Sequence, residues 1–159
     1  MPNDRYKSPG ELIHLLVDIV SKGGNFLLNI GPSAEGEFDP NAHDRLEKIG
    51  EWMKVNGEAI YNSRPIAPFK DGKVCLTKQG DGSVYAVYLA DADEPTPPQK
   101  IWLSGIRPAS GATVTLLGFN GQLKWEKVGK GFIVDIPESV RHNPPCQYAW
   151  TLKISAVEK

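Results

Sequence analysis

The chain has 159 residues, 40% of them hydrophobic, which suffices for one packed domain or two small ones and excludes a disordered chain. Eighteen basic and nineteen acidic residues leave a net charge of -1. That balance argues against nucleic-acid binding, which needs a basic excess to meet phosphates.

The opening MPNDRYKSPG carries no apolar signal core, and no apolar run approaches a membrane span. As written the chain reads as a cytoplasmic-type product, leaving open a secreted, lysosomal or periplasmic parent. Cys75 and Cys146 stand far apart without metal-type spacing and read as buried free thiols.

Ser8-Pro9-Gly10-Glu11 fits a capping box, with Ser8 at the N-cap, Pro9 at N1 and Glu11 at N3. The helix it opens carries Leu12, Leu15, Leu16, Ile19 and Val20 at helical spacing and stops at Gly23-Gly24. Ile13 and Val17 widen the stripe and imply burial on more than one side. Phe26, Leu27, Leu28 and Ile30 then form an apolar run without alternation, the pattern of a strand covered on both faces. A loop from Gly31 to Asp39 follows. Asp39-Pro40 caps a second helix running to about Val55, with Ala42, Leu46, Ile49 and Met53 on one face.

Gly57 to Lys70 reads as a connector, interrupted by Arg64-Pro65 and Ala67-Pro68. Beyond it the apolar period becomes two. Strands are expected at Val74–Lys78, Val84–Leu89, Lys100–Leu103, Thr113–Leu117, Leu123–Lys127, Phe132–Ile136 and Tyr148–Ile154. Gly80-Asp81-Gly82-Ser83, Asn120-Gly121 and Gly129-Lys130-Gly131 mark hairpins. Ala90 to Gln99, acidic and proline-rich, reads as an exposed loop. One-sided strands at this spacing indicate an antiparallel sandwich.

The segment LLVDIVSKGGNFLLNIGP resembles the end of the catalytic barrel of the α-L-fucosidases of glycoside hydrolase family 29. RLEKIGEWMKVNGEAIYNSRP is similar to the last barrel helix and exit of that family. VTLLG, LKW, GKGFIVDIP and YAWTLKI resemble its C-terminal sandwich. The resemblance implies an α+β chain: residues 1–64 as a helix–strand–helix remnant of a (β/α)8-like barrel, residues 65–159 as an antiparallel β-sandwich. It implies retaining hydrolysis of terminal α-L-fucosyl linkages, with fucosylated glycans or aryl fucosides as substrates and no cofactor. The family's nucleophile, its acid/base carboxylate and its sugar-holding residues match no position here. A retaining enzyme needs two carboxyl groups about 5–5.5 Å apart. By itself the chain is therefore expected to be structural. The alternatives are a carbohydrate-binding accessory module and a self-assembling small fucosidase.

Within that frame Glu35, Glu37 and Asp39 are the candidate catalytic carboxylates, since loops after barrel strands line the active face. The plainer reading is a solvated loop whose last member, Asp39, caps a helix. Asn29, at the end of the expected strand, is a candidate for substrate binding, against a strand-end side chain bonding nearby backbone. Trp102, with Tyr85 or Tyr88, is a candidate for stacking on a sugar. Trp125, Tyr148 and Trp150 fall on core parities, and Trp52 is expected where helix meets sandwich. His14, His43 and His142 share no metal spacing and read as bystanders. A lone barrel strand leaves both backbone edges open. Leu12–Val20 and Phe26–Ile30 therefore expect neighbours: other copies of the chain, a missing N-terminal barrel portion, or the sandwich itself.

Overall fold

A computed structural model describes residues 6–158. The capping box forms as expected: Ser8 Oγ accepts the Glu11 N–H at 3.2 Å, and Glu11 Oε2 accepts the Ser8 N–H at 2.7 Å. It opens α1, Pro9–Ser21. Asp39 Oδ1 accepts the Asn41 N–H at 2.7 Å and opens α2, Pro40–Asn56. A 3-10 turn, Gly57–Ala59, then leads into the sheets.

The strands are β1 Arg64–Asp71, β2 Val74–Lys78, β3 Val84–Leu89, β4 Lys100–Leu103, β5 Val114–Leu116, β6 Trp125–Val128, β7 Gly131–Asp135 and β8 Ala149–Ile154, with a short α3, Glu138–His142, before the last. All pairings are antiparallel. One sheet runs β1-β2-β3-β8-β5 and faces a second, β4-β7-β6. Between them lies the sandwich core, with Leu76, Ala86, Trp150, Leu152 and Leu116 from the first sheet meeting Ile101, Leu103, Phe132 and Val134 from the second.

The expectation of one-sided strands fails for the large sheet. β2, β3 and β8 are buried on both faces. Their second face, with Cys75, Tyr85, Val87 and Ala149, is covered by Ile13 and Val17 of α1 and Trp52 of α2. The chain is thus three layers deep: helices, five-stranded sheet, three-stranded sheet. The wide stripe on α1 is explained by this seat. Of the neighbours expected for the N-terminal unit, the sandwich supplies the one for α1.

Three further expectations are corrected. Phe26–Ile30 forms no strand. Among the described residues the backbone of 25–32 makes no hydrogen bond, and Leu27 is 82% exposed. An apolar run becomes a strand only where another strand pairs with it, and no strand among the described residues does. The supposed connector from Gly57 to Lys70 is ordered: β1 pairs with β2, its ladder broken between Pro65 and Lys70, where Pro68 follows a cis bond. Proline donates no ladder hydrogen bond, which is why β1 is irregular and sits at a sheet edge. Tyr148 is not on the sandwich-core face. It has φ of 72°, and Ala149 N–H donates to Gln147 O at 2.9 Å, closing a three-residue turn of the strained kind. That turn sends the Tyr148 ring toward Gly10 of α1 and leaves the Tyr148 carbonyl to accept from Ala90 N–H at 3.1 Å and to meet His14 Nε2 at 2.9 Å.

Candidate functional site

Four of the expected site residues, Asn29, Glu35, Glu37 and Asp39, come together in one open groove of ≈ 760 Å³. Its walls are the extended segment from Leu28 to Pro32, the loop to Asp39, and the first turns of α2. Leu12, Leu28, Ile30 and Leu46 supply apolar lining, while Asn29, Glu35, Glu37 and Asp39 supply polar groups. Arg45 also lines it, its guanidinium 5.7 Å from the Tyr6 ring centroid and its Nε–H donating to Lys7 O at 3.3 Å.

The loop folds for local reasons. Ser33 Oγ accepts the N–H groups of Glu35 and Glu37 at 3.2 and 3.3 Å, and Ser33 N–H donates to Glu37 O at 2.7 Å. This knot holds Glu35 and Glu37 in solvent. The Ser33 hydroxyl, aided by the backbone, draws the Glu35 carboxyl below its ordinary range. A general acid requires the opposite shift, which comes from an apolar surround. Asp39 is engaged as the cap of α2, and Asn29 is exposed without a partner among the described residues. The groove therefore gathers the predicted residues without arranging a reacting pair among them. Among the described residues no group of three or more His, Cys, Asp or Glu side chains could hold a metal ion, and no helix is long and apolar enough to cross a membrane.

Trp102 lies elsewhere, on the outer face of β4, 59% exposed. Tyr85 and Tyr88 do not join it. Tyr85 is buried under the helical layer, and Tyr88 stacks on Trp150 with centroids 6.2 Å apart. Trp125 packs edge-on to Phe132 at 6.1 Å.

The sequence reading missed a polar cluster where α2 ends on the large sheet. Glu58 accepts from the Tyr85 hydroxyl at 2.5 Å and is paired with the Lys153 ammonium, which sits 5.6 Å from the Tyr85 ring centroid. Lys153, then Tyr85, hold the Glu58 carboxyl below its usual range. Burial, then Glu58, push the Tyr85 phenol up to about 12. Glu58 and Lys153 lie 95 positions apart, so no local pattern signals the contact.

The fold and the groove define a class: an α+β unit in which two helices, joined by an unpaired apolar segment, are seated on an antiparallel sandwich. Comparison with known proteins gives that class a family. The profile described as "Alpha-L-fucosidase" matches residues 1–58, and that of "Alpha-L-fucosidase C-terminal domain" matches residues 71–155. The chain belongs to the α-L-fucosidase family. It is 38% identical over 156 residues to an alpha-L-fucosidase of Branchiostoma floridae, covering 96% of this chain and 34% of that protein. It is 36% identical over 154 residues to the human tissue alpha-L-fucosidase, covering 93% and 32%. Among solved structures, the Thermotoga maritima alpha-fucosidase superposes with a TM-score of 0.80 at 26% identity, covering 96% of this chain and 35% of that one. Alpha-L-fucosidase isoenzyme 1 of Paenibacillus thiaminolyticus gives 0.76 at 28% identity, covering 99% and 36%. The chain spans about a third of the length of the relatives it matches.

Proposed function

We propose that these residues serve α-L-fucoside hydrolysis as a structural part. They supply a closing helical unit for a catalytic barrel, and the sandwich that anchors it. The two carboxylates of the retaining reaction lie in the part of the fucosidase outside these 159 residues. Fucosylated glycans are the substrates of the whole, as suggested by the T. maritima relative solved in complex with fucose.

The observation that carries this reading is the backbone of residues 25–32. These eight residues, Phe26, Leu27, Leu28 and Ile30 among them, make no backbone hydrogen bond among the described residues. Burying such a segment without partners costs about 1–3 kcal/mol per group left unsatisfied. The segment is thus suited to a place between two strands that flank it in an assembled barrel. The groove supports the same reading, because its carboxylates are exposed and Glu35 is shifted away from general-acid behaviour.

The test is complementation. This chain is mixed with a separate polypeptide carrying the rest of a family barrel. Co-elution, with slowed amide exchange at residues 25–32, is the expected result. Exchange in that segment that stays as fast as in the chain alone would overturn the proposal.

A further inference from the structure

Trp102 is the one tryptophan among the described residues set in the open. Trp52 and Trp150 are 2% and 0% exposed, and Trp125 is half-buried against Phe132. Its position follows from the ladder. Ile101 and Leu103 point into the sandwich, so Trp102 between them must point out. It pairs across to Ile133 of β7, which pairs in turn to Glu126 of β6. One row of the outer face therefore reads Trp102, Ile133, Glu126. In the next row Lys100 pairs with Asp135, their side chains bridged at 3.1 Å, and Lys124 lies alongside through the Asp135 N–H bond to its carbonyl at 2.9 Å. An indole and an isoleucine thus form a flat apolar strip bordered by two cations and two carboxylates.

This face lies on the far side of the sandwich from the helical layer, which covers the five-stranded sheet. A polypeptide joined through α1 and α2 would leave Trp102 uncovered.

We propose that the outer face of β4-β7-β6 is a binding platform for a neutral pyranose, with Trp102 as the stacking surface. Such a sugar offers an apolar face of ring C–H groups to the indole. Its hydroxyl rim offers donors to Glu126 and Asp135 and acceptors to Lys100. An aromatic ring carrying both apolar area and a polar edge suits such a ligand. The charges balance, which disfavours a phosphorylated or sulfated ligand, since that would need a net basic site. They also bear on a second copy of the chain as occupant. Strands of four and five residues give an outer face of roughly 200 Å², against about 800 Å² per partner in a stable interface. The site is open rather than concave, so millimolar affinity is expected. In a fucosidase its role would be to hold a neighbouring glycan away from the reacting bond.

The test follows the indole N–H signals of the 15N-labelled full chain during titration with L-fucose, D-galactose or D-glucose to 50 mM. Trp52 and Trp150 serve as internal references, because their Nε1–H groups donate to Ala149 O and Cys146 O, each at 3.0 Å. The expected result is a saturable shift at Trp102 with at least one sugar, with both references still. Trp102→Ala should abolish the saturable shifts at neighbouring Ile133, and Trp102→Phe should retain them more weakly. No Trp102 shift with any of the three sugars overturns the proposal. So does a Trp102 signal that moves with protein concentration alone, which would mark the face as a contact between copies.

Discussion

The Thr151 hydroxyl donates to Asn56 Oδ1 at 2.7 Å, with both side chains wholly out of water. This bond ties the end of α2 to the middle of β8. The Asn56 amide completes the joint, donating to Trp52 O at 3.1 Å and Cys146 Sγ at 3.3 Å. Asn56→Ala leaves the Thr151 hydroxyl buried and unpaired, a loss of about 1–3 kcal/mol. Urea unfolding should show that loss. Adding Thr151→Val, which removes the orphaned hydroxyl, should recover part of it, because paired groups do not add.

A close approach nearby gives a second expectation. Gly118 has φ of 80°, and a Cβ there would lie 2.6 Å from Pro145 Cβ and 2.9 Å from Val55 Cγ1. Gly118→Ala should therefore cost about 1–3 kcal/mol of overpacking, besides the left-handed strain. Its melting temperature should fall clearly. Gly80→Ala, at a position with open space around the added carbon, should fall much less.

The Glu58–Tyr85–Lys153 cluster predicts how stability follows pH. Glu58 is lowered in the folded state, so its contribution is complete above the unfolded carboxylate value of roughly 4.3 and is lost as pH falls through the folded value. Tyr85 is raised to about 12, so its contribution is complete below its unfolded value of roughly 10 and is lost as pH rises through the folded one. Because the Glu58 side chain is 47% exposed, solvent screening holds the pair to at most about 1 kcal/mol. Denaturation midpoints measured across pH should show both limbs. Glu58→Gln should flatten the acid limb, and Tyr85→Phe the alkaline one.

The two thiols should differ in reactivity. Burial pushes both up, Cys75 without exposed surface and Cys146 partly accessible. A thiolate is the reactive form, so both should label slowly in the native protein. An aromatic disulfide reagent should modify Cys146 first. Cys75 should react only at the rate of unfolding, and a fast burst of two thiols would contradict the packing of α1 on β2.

Most of this fold is legible in the sequence because its signals are local. The capping box at Ser8, the Asp39-Pro40 pair and the period-two strands depend on residues near in the chain, and the structure has both helices and all seven expected strands of the sandwich within a residue or two. What was not legible depends on distant partners. Ala149 and Thr151 look like a solvent face until α2 covers them. The prolines of β1 hide a strand that forms only because β2 offers an edge. Phe26–Ile30 has every mark of a strand except a neighbour. The candidate site divides in the same way. Sequence placed Asn29, Glu35, Glu37 and Asp39 on one stretch, and they line one groove. Their exposure, and the Ser33 knot that lowers Glu35, follow from folding and could not be read from spacing.

Under the proposed function, the reacting carboxylates stand outside these 159 residues. The decisive assay is release of nitrophenol from an aryl α-L-fucoside by the purified chain alone, at high loading. The expected rate equals that of the protein-free blank. Turnover above the blank that falls when Glu35, Glu37 or Asp39 is replaced by its amide would contradict it.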